Sequence, residues 1–248
     1  MPKERIDKLL VEHGLADSRT RAAAMVMAGI VMVADKKAEK PSDKFEPAAT
    51  IRLIGASIEQ KYVGRGGLKL EAALREYNVD VEGYTCIDVG SSTGGFTDCL
   101  LQHGAKRVVC IDSGTNQLVW SLRSDERVEV REQTNARDLK PTDFATLFDL
   151  AVMDVSFISV TKVIPAILAL LVDDGRLIVL IKPQFEVGRG EVGKGGIVRE
   201  VEKHERVVNE INAFATELEL SLQGVIDSPI LGAEGNKEFL ALYAKGNR

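Results

Sequence analysis

The sequence predicts an α/β protein in which a mostly parallel seven-stranded sheet is preceded by a small α+β domain. From residue 68 onward, runs rich in β-branched residues alternate with helical patterns, which is typical of a parallel sheet covered by helices on both faces. Before residue 60, two helical patterns come first and two strand patterns follow. Three glycines within residues 61–67 separate the two regions. We therefore expect a domain over 1–60, a linker over 61–67 and a second domain over 68–248.

The first domain begins with two short helices, which the spacing of apolar residues predicts over 4–13 and 18–28. Ser18 is a suitable N-cap for the second helix, and a glycine directly after that helix would end it. Runs of β-branched residues at 29–35 and 49–55 predict two strands, with a polar segment between them. Together these elements make a compact unit of about 60 residues.

The second domain is predicted as strands and helices in alternation, beginning with a helix that follows the linker. The helices are expected at 68–77, 96–103, 117–122, 160–171 and 200–218, and the strands at 84–90, 107–112, 127–132, 148–154, 175–182, 221–230 and 237–245.

The composition is that of a soluble globular protein, with 45% hydrophobic and 28% charged residues. The net charge of −5 is unevenly spread, since residues 1–70 carry 13 Lys and Arg against 9 Asp and Glu. Three cysteines without a C-x-x-C motif indicate a reducing compartment. The three histidines show no zinc-site spacing, and no apolar run approaches the ~20 residues that span a bilayer. We therefore expect a cytoplasmic protein with no metal and no membrane segment.

Residues 86–98 (CIDVGSSTGGFTD) predict a strand, a glycine-rich turn and a helix. Glycines in such a turn let a ligand lie against the main chain at the carboxyl ends of the strands. Asp112 lies 24 residues after Asp88, about where a carboxylate would bind the ribose hydroxyls of an adenosine. Asp88 favours a ligand with an ammonium group, such as S-adenosylmethionine, because it would repel a pyrophosphate. A nicotinamide dinucleotide and a tight turn without a ligand are the alternatives.

Asp154 and Lys182 end two predicted strands, at residues 148–154 and 175–182. Adjacent parallel strands would deliver both side chains to the edge of the sheet that carries the glycine turn. A lysine that follows five apolar residues is costly to bury unless it is paired, and Asp154 is the nearest predicted partner. The alternative to a functional site is a strand-end salt bridge. The position at the ligand-binding edge favours function.

Five short motifs resemble the FtsJ-type ribose 2′-O-methyltransferases: GGLKL, DVGSSTGGFTD, VMDVSFISV, LIKPQFE and GNKEFLALY. The first domain resembles a small RNA-binding fold of ribosomal proteins. The combination in one chain is similar to the TlyA family, often labelled haemolysins, whose members methylate cytidine ribose in ribosomal RNA. The resemblance implies a Rossmann-like methyltransferase fold, S-adenosylmethionine as the methyl donor, and ribosomal RNA or ribosomal subunits as the partner.

The resemblance also implies a catalytic tetrad of Lys69, Asp154, Lys182 and Glu238, with Lys182 as the base or positioning group for the 2′-hydroxyl. A lysine held near another lysine can lose its proton near neutral pH, but nearby carboxylates act in the opposite direction. The expected cofactor-binding residues form one set: Asp88, Gly90, Ser91, Gly94, Gly95, Phe96, Asp112 and Asp154.

Residues 188–196, called the glycine-rich loop below, contain five glycines and match G-x-x-x-x-G-K. The next position is Gly195, where a phosphate loop needs Ser or Thr to bind magnesium, so nucleoside triphosphate binding is not expected. We interpret the segment as a mobile flap beside the active site, with Arg189, Lys194 and, shortly after the loop, Arg199 available for RNA phosphates. A plain flexible connection is the alternative.

Basic residues are concentrated in the first domain, which suits recognition of folded RNA through its phosphates. The predicted RNA-binding residues are Arg5, Lys8, Arg19, Arg21, Lys36, Lys37, Arg65, Arg189 and Lys194. Acidic neighbours dilute this patch, so a solvated charged surface is the alternative. The turn Ala34-Asp35-Lys36-Lys37 lacks the Asn-Gly or Asp-Gly expected there. Other functions left open are a membrane-active haemolysin and a non-catalytic, RNA-binding ribosome assembly factor.

Overall fold

A computed structural model describes residues 3–16, 18–27, 29–34, 36–47, 49–53, 61–188 and 190–246. The chain divides into two compact units, Met1–Gln60 and Lys61–Arg248.

The described residues of the first unit form two helices and five short strands. They are β1 (Glu4–Arg5), α1 (Ile6–Glu12), α2 (Arg19–Met27), β2 (Val31–Val33), β3 (Lys36–Lys37), β4 (Lys44–Phe45) and β5 (Ile51–Leu53). Strands β3, β2 and β5 form an antiparallel sheet, and β1 pairs with β4. The apolar faces of both helices pack with β2 into one core.

Two details of the first unit concern its turns. Ser18 Oγ accepts a hydrogen bond from the main-chain N–H of Arg21 at 3.2 Å, as an N-cap does. Val33 pairs with Lys36, so only two residues connect β2 to β3. Ala34 adopts a left-handed φ of 52° in this connection, a conformation that glycine or asparagine adopts at lower cost.

The second unit contains the large sheet and its helices. Its elements are α3 (Gly66–Glu76), β6 (Thr85–Val89), α4 (Gly95–Gln102), β7 (Arg107–Ile111), α5 (Trp120–Arg123), β8 (Val128–Arg131), β9 (Phe148–Met153), α6 (Ile164–Leu168), β10 (Leu171–Ile181), α7 (Pro183–Glu186), α8 (Val201–Glu217), β11 (Leu220–Asp227) and β12 (Phe239–Lys245).

The predicted mostly parallel, seven-stranded sheet is confirmed, with strand order β11-β12-β10-β9-β6-β7-β8. The pairs β10–β9, β9–β6, β6–β7 and β7–β8 are parallel, whereas β12 runs antiparallel to both β10 and β11. Alternate side chains of the central strands enter two separate hydrophobic cores, because successive residues of a strand point to opposite faces. Helices α6 and α8 cover one face, and α3 and α4 cover the other.

The helix predicted over 160–171 is shorter in the structure. A 3₁₀ turn at Val160–Lys162 precedes α6, and Pro165 lies in the first turn of that helix, where its missing N–H costs nothing. Strand β10 begins at Leu171, inside the predicted helix, and its register with β9 shifts between Leu171 and Arg176. Because of this irregularity, the sequence pattern does not indicate that the strand begins at Leu171.

Residues 61–67, expected as a linker, pack within the second unit. Tyr62 is 2% exposed and belongs to the core under α3 and α4. The main-chain N–H of Val63 donates to Asp98 on α4 at 2.7 Å. Helix α3 begins at Gly66, two residues before the predicted start, and a Cβ on Gly67 would overlap the Tyr62 ring.

Within the described ranges, no helix is long and apolar enough to cross a membrane.

Candidate active site

The turn between β6 and α4 is built from glycines with positive φ, 83° at Gly90 and 100° at Gly94. A Cβ on Gly90 would overlap the carbonyl oxygen of Asp154, and one on Gly95 would lie 3.0 Å from the main-chain nitrogen of Gly67. The sequence suggested that these glycines admit a ligand. The structure shows that they also let the ends of β9 and α3 approach the turn.

Asp88 lies beneath this turn and is fully buried. Thr97 on α4 donates a hydrogen bond to Asp88 Oδ2 at 2.6 Å, while Oδ1 has no partner among the described residues. Burial raises the pKa of the Asp88 carboxyl to about 7, and the hydrogen bond from Thr97 partly opposes that shift. Asp88 therefore faces α4, and it lines neither of the two cavities described next.

Two cavities open at the carboxyl ends of the central strands, with volumes of about 590 Å³ and about 250 Å³. Both are lined by Gly90, Ser92 and Asp154, so they adjoin at the glycine turn. The larger cavity continues to Asp112, and the smaller one continues to Lys69. Together they can hold an elongated ligand that passes over the turn.

The predicted cofactor residues divide between these cavities. Asp112 directly follows β7 and lines the larger cavity, and its two carboxylate oxygens accept hydrogen bonds from the main-chain N–H groups of Ser92 at 2.8 Å and Gly114 at 2.7 Å. Ser91, Gly95 and Phe96 line the smaller cavity. Gly94 lines neither cavity. It packs instead against Leu122, whose side chain a Cβ on Gly94 would overlap.

The four residues of the predicted tetrad form two ion pairs. Lys69 Nζ lies 2.6 Å from Glu238 Oε2, with the two side chains 10% and 2% exposed. Lys182 Nζ lies 2.5 Å from Asp154 Oδ1, with 11% and 23% exposed. Each lysine thus has its own carboxylate. Lys182 lies against Asp154, the partner that the strand ends suggested, whereas nothing in the sequence indicated that Lys69 would pair with Glu238.

The sheet explains how these distant residues meet. Asp154 directly follows β9, and Lys182 directly follows the neighbouring strand β10. Ile181 pairs with Phe239 across β10 and β12, so Glu238 enters β12 next to the point where Lys182 leaves β10. Lys69 reaches the same edge from α3, which packs against this end of the sheet.

Two residues beside this cluster were missed by sequence reasoning. Lys182 Nζ donates a hydrogen bond to Ser156 Oγ at 2.9 Å. Phe157 is 91% exposed, has a φ of 63°, and its ring centroid lies 5.0 Å from that of Phe185. Both residues line the larger cavity, and an exposed ring in this position can stack on a nucleobase. They lie two and three residues after Asp154 in the sequence, but the backbone conformation that turns them to the cavity leaves no sequence signal.

The larger cavity also has a wall that no motif indicated. Asn135 and Ala136 lie on it, in a 3₁₀ turn whose N-cap is Asn135. The Asn135 side chain accepts a hydrogen bond from the main-chain N–H of Arg137 at 3.2 Å.

Within the described part of the chain, no group of His, Cys, Asp and Glu could hold a metal ion.

The predicted RNA-binding cations of the first unit fall into two groups. Arg5 and Arg19 both bond to Asp7, at 3.0 Å and 2.9 Å, and these bonds, led by that from Arg5, lower the pKa of the Asp7 carboxyl to about 2. Lys8 lies between Glu4 and Glu12. The remaining cations, Arg21, Lys36 and Lys37, are exposed.

The other predicted RNA-binding cations belong to the second unit. Arg65 is exposed and lines the smaller cavity, and Lys194 is exposed on the glycine-rich loop. Arg189 lies outside the described residues.

The glycine-rich loop, which we interpreted as a mobile flap, is held by side chains at Glu191 and at its last residue, Gly196. Arg206 on α8 bonds to both carboxylate oxygens of Glu191 at 2.8 Å, and Lys203 donates to the Glu191 carbonyl at 2.9 Å. At the other end, the Asn236 side chain donates to the Gly196 carbonyl at 2.9 Å. The main-chain N–H of Val198 donates to Asn236 Oδ1 at 3.1 Å.

Comparison with known protein families agrees with this division of the chain. Residues 62–245 match the model of the FtsJ-like methyltransferase family, and residues 4–51 match the S4 domain. A candidate rRNA methyltransferase of Bacillus subtilis, YqxC, is 47% identical over 96% of this chain and 84% of that protein. The 16S/23S rRNA (cytidine-2′-O)-methyltransferase TlyA of Mycobacterium tuberculosis is 42% identical over 98% of this chain and 94% of that protein.

A solved structure covers both units. A chain from Streptococcus thermophilus, named as a candidate hemolysin, is 47% identical and superposes with a TM-score of 0.77 over 99% of this chain and 90% of that one. The hemolysin name thus occurs among proteins that are similar to this chain over almost its whole length. With an S4 domain ahead of an FtsJ-like domain, the chain belongs to the family of TlyA-like and YqxC-like rRNA methyltransferases.

Proposed function

We propose that this protein transfers a methyl group from S-adenosylmethionine to the ribose 2′-hydroxyl of a cytidine in ribosomal RNA. The observation that carries the proposal is two ion pairs, the buried Lys69–Glu238 and the partly buried Lys182–Asp154, at the edge of the sheet where two adjoining cavities open. The family supports the reaction class, and the TlyA of Mycobacterium tuberculosis, by its name, modifies cytidine.

The adjoining cavities fit a nucleoside that carries an amino-acid arm. Asp112 and Asn135 line the larger cavity and would hold the adenosine, while Ser91 and Gly95 on the smaller one would hold the arm. Asp154 lies where the cavities meet, so the group between nucleoside and arm would pass beside Asp154. When bound, S-adenosylmethionine supplies a methyl group on a sulfonium that a nucleophilic oxygen can take.

We assign Lys182 to the 2′-hydroxyl of the RNA. Asp154 Oδ1 and Ser156 Oγ hold its Nζ, and both of these residues line the larger cavity, so a hydroxyl bound there would lie near the amine. In that position Lys182 would polarise the hydroxyl or take its proton as the oxygen becomes nucleophilic. Alignment of the hydroxyl by a fixed amine would supply much of the rate enhancement.

The Lys69–Glu238 pair would shape the wall against which the ribose docks. Lys69 lines the smaller cavity, together with Arg65 and Gly232. A Cβ on Gly232 would overlap Glu238 Oε1, so the loop before β12 wraps closely around this carboxylate. Such close packing keeps the pair in one geometry and makes the cavity wall rigid.

The S4 domain would bind the structured RNA. Its exposed cations, Arg21, Lys36 and Lys37, can contact phosphates without reading sequence. Arg5 and Arg19 are already paired with Asp7, so we expect them to contribute less to RNA affinity.

The test is methyl transfer with the full chain. Purified protein would be incubated with radiolabelled S-adenosylmethionine and each ribosomal subunit, and the labelled ribose would be mapped. Lys182→Ala is expected to lose label incorporation by at least about 100-fold, with donor affinity by calorimetry within about twofold of the wild type. Lys245→Ala, at the other end of β12, is the matched control and should retain activity. Full activity of Lys182→Ala would remove the assigned role, and no label in either subunit would overturn the proposed function.

A further inference from the structure

The glycine-rich loop is the one sequence motif that the proposed reaction does not use. Its lysine, Lys194, is exposed, and Gly193 donates its N–H to the carbonyl of Ile197 at 3.0 Å rather than to a phosphate site. Gly195 and Gly196 have φ values of 78° and 76°, which explains their residue type by backbone conformation alone. What the loop does must therefore be sought in what holds it.

Asn236 holds the end of this loop through both ends of its amide. Its Oδ1 accepts from the N–H of Val198 at 3.1 Å, and its Nδ2 donates to the carbonyl of Gly196 at 2.9 Å. The side chain is buried, with 2% of Asn236 exposed. His204 on α8 bonds to the Val198 carbonyl at 2.9 Å, so both the N–H and the carbonyl of Val198 are held by side chains. A buried amide with donor and acceptor both used is costly to replace.

The same residue belongs to the segment that delivers Glu238. The Asn236 carbonyl accepts from the N–H of Gly232 at 2.9 Å, and the Glu238 carbonyl accepts from Ser228 at 2.9 Å. These two bonds close the connection from β11 to β12, and Gly232 within it packs against the Glu238 carboxylate. Asn236 is thus hydrogen-bonded to the end of the glycine-rich loop by its side chain, and to Gly232 in the connection before β12 by its main-chain carbonyl.

We propose that Asn236 is a positioning residue that couples the glycine-rich loop to the Lys69–Glu238 ion pair, so that the placement of the loop sets the placement of the Glu238 carboxylate. This inference rests on the proposed methyl transfer. It gives the loop a role at the site: Lys194 and Arg199, both exposed, can contact RNA, and a shift of the loop would reach Glu238 through one buried amide.

The variants differ in which bonds they remove. Asn236→Ala loses both side-chain bonds. Asn236→Asp has nearly the same shape and can still accept from Val198, but it loses the donor to Gly196 and places a carboxylate against a carbonyl oxygen. We expect kcat for methyl transfer to fall by about 10- to 100-fold in both variants, as small displacements in an active site do. Donor affinity should stay within about twofold, because Asn236 lines neither cavity.

The matched control is Asn212→Ala, which removes another partly buried amide of the second unit. Its Oδ1 accepts from the Tyr243 hydroxyl at 2.7 Å, and among the described residues its side chain bonds neither to the glycine-rich loop nor to the segment before β12. A comparable loss of thermal stability with unchanged kcat is expected. If Asn236→Ala behaved in the same way, with only its stability reduced, Asn236 would be structural and the inference would fall.

A double-mutant cycle with Glu238→Gln gives the decisive measurement. If Asn236 acts through Glu238, the double variant should be no more than about twofold slower than Glu238→Gln alone. If the rate loss of the double variant equalled the product of the losses in the two single variants, the two residues would act separately, and the coupling would be overturned. If Asn236→Ala does not fold, Asn236→Asp carries the same cycle. A wild-type protein without activity, or a fully active Glu238→Gln, would instead count against the proposed function.

Discussion

Replacing Lys69 by Met should destabilise the second unit strongly, because it leaves the Glu238 carboxylate buried without its partner. Glu238 is 2% exposed, and Lys69 Nζ at 2.6 Å is its ion-pair partner. Breaking a buried pair from one side costs about 3–5 kcal/mol of unfolding free energy, since the remaining charge stays out of water. In a unit of this size, each kcal/mol lost lowers the thermal unfolding midpoint by about 2–4 °C, so we expect that midpoint to fall by roughly 6–20 °C.

Urea denaturation followed by circular dichroism would measure this loss at pH 7. The double variant Lys69→Met/Glu238→Leu is expected to recover most of the stability, because apolar side chains of similar volume pack where the pair was. Lys61→Met is the control, since Lys61 pairs with Glu71 and its side chain is 48% exposed. Such an exposed pair contributes about 0–1 kcal/mol. A loss below about 1 kcal/mol for Lys69→Met, or a double variant as unstable as the single one, would refute the reasoning.

Two further predictions concern the glycine turn. The raised pKa of Asp88, about 7, means that the folded protein holds a proton that the unfolded chain releases near pH 4, so stability should fall as pH rises from about 4 to about 7. Asp88→Asn should flatten this dependence in urea denaturation at several pH values, and an unchanged slope would count against a buried, protonated Asp88. Gly90→Ala forces a side chain onto a φ of 83° and against the carbonyl of Asp154. Calorimetry should then detect at least about tenfold weaker donor binding, and the free energy of unfolding should fall by about 1–3 kcal/mol. Donor binding at wild-type affinity would show that the turn tolerates the added Cβ.

The regular parts of the fold were predictable because their sequence patterns are local. Strands β6, β7 and β9 lie within two residues of their predicted ends, since each is a run of apolar and β-branched residues. The positions of Asp154 and Lys182 at neighbouring strand ends followed from the same patterns. Sequence order alone predicts that such residues share an edge of the sheet, which suggested the Lys182–Asp154 pair, but it did not indicate that Lys69 pairs with Glu238.

The remaining features depend on tertiary contacts that leave no local signal. Tyr62 looks like part of a linker until the core under α3 and α4 is seen around it. Asp88 was expected to face a ligand, but its side chain points to Thr97 on α4. The role of Asn236 depends on bonds to residues about 40 positions earlier in the chain. Such pairings become visible only when the folded chain brings the segments together.

Strand β12 has a consequence for how an active enzyme is made on the ribosome. It inserts between β10 and β11, both of which precede it in the chain, and Glu238 stands directly before it. A nascent polypeptide that has emerged only as far as β11 therefore lacks an interior strand as well as the partner of Lys69. Premature termination between residues 228 and 238 should give a product that is inactive and has unpaired strands open to aggregation. Methylating competence would then arise only after the final strand has been synthesised.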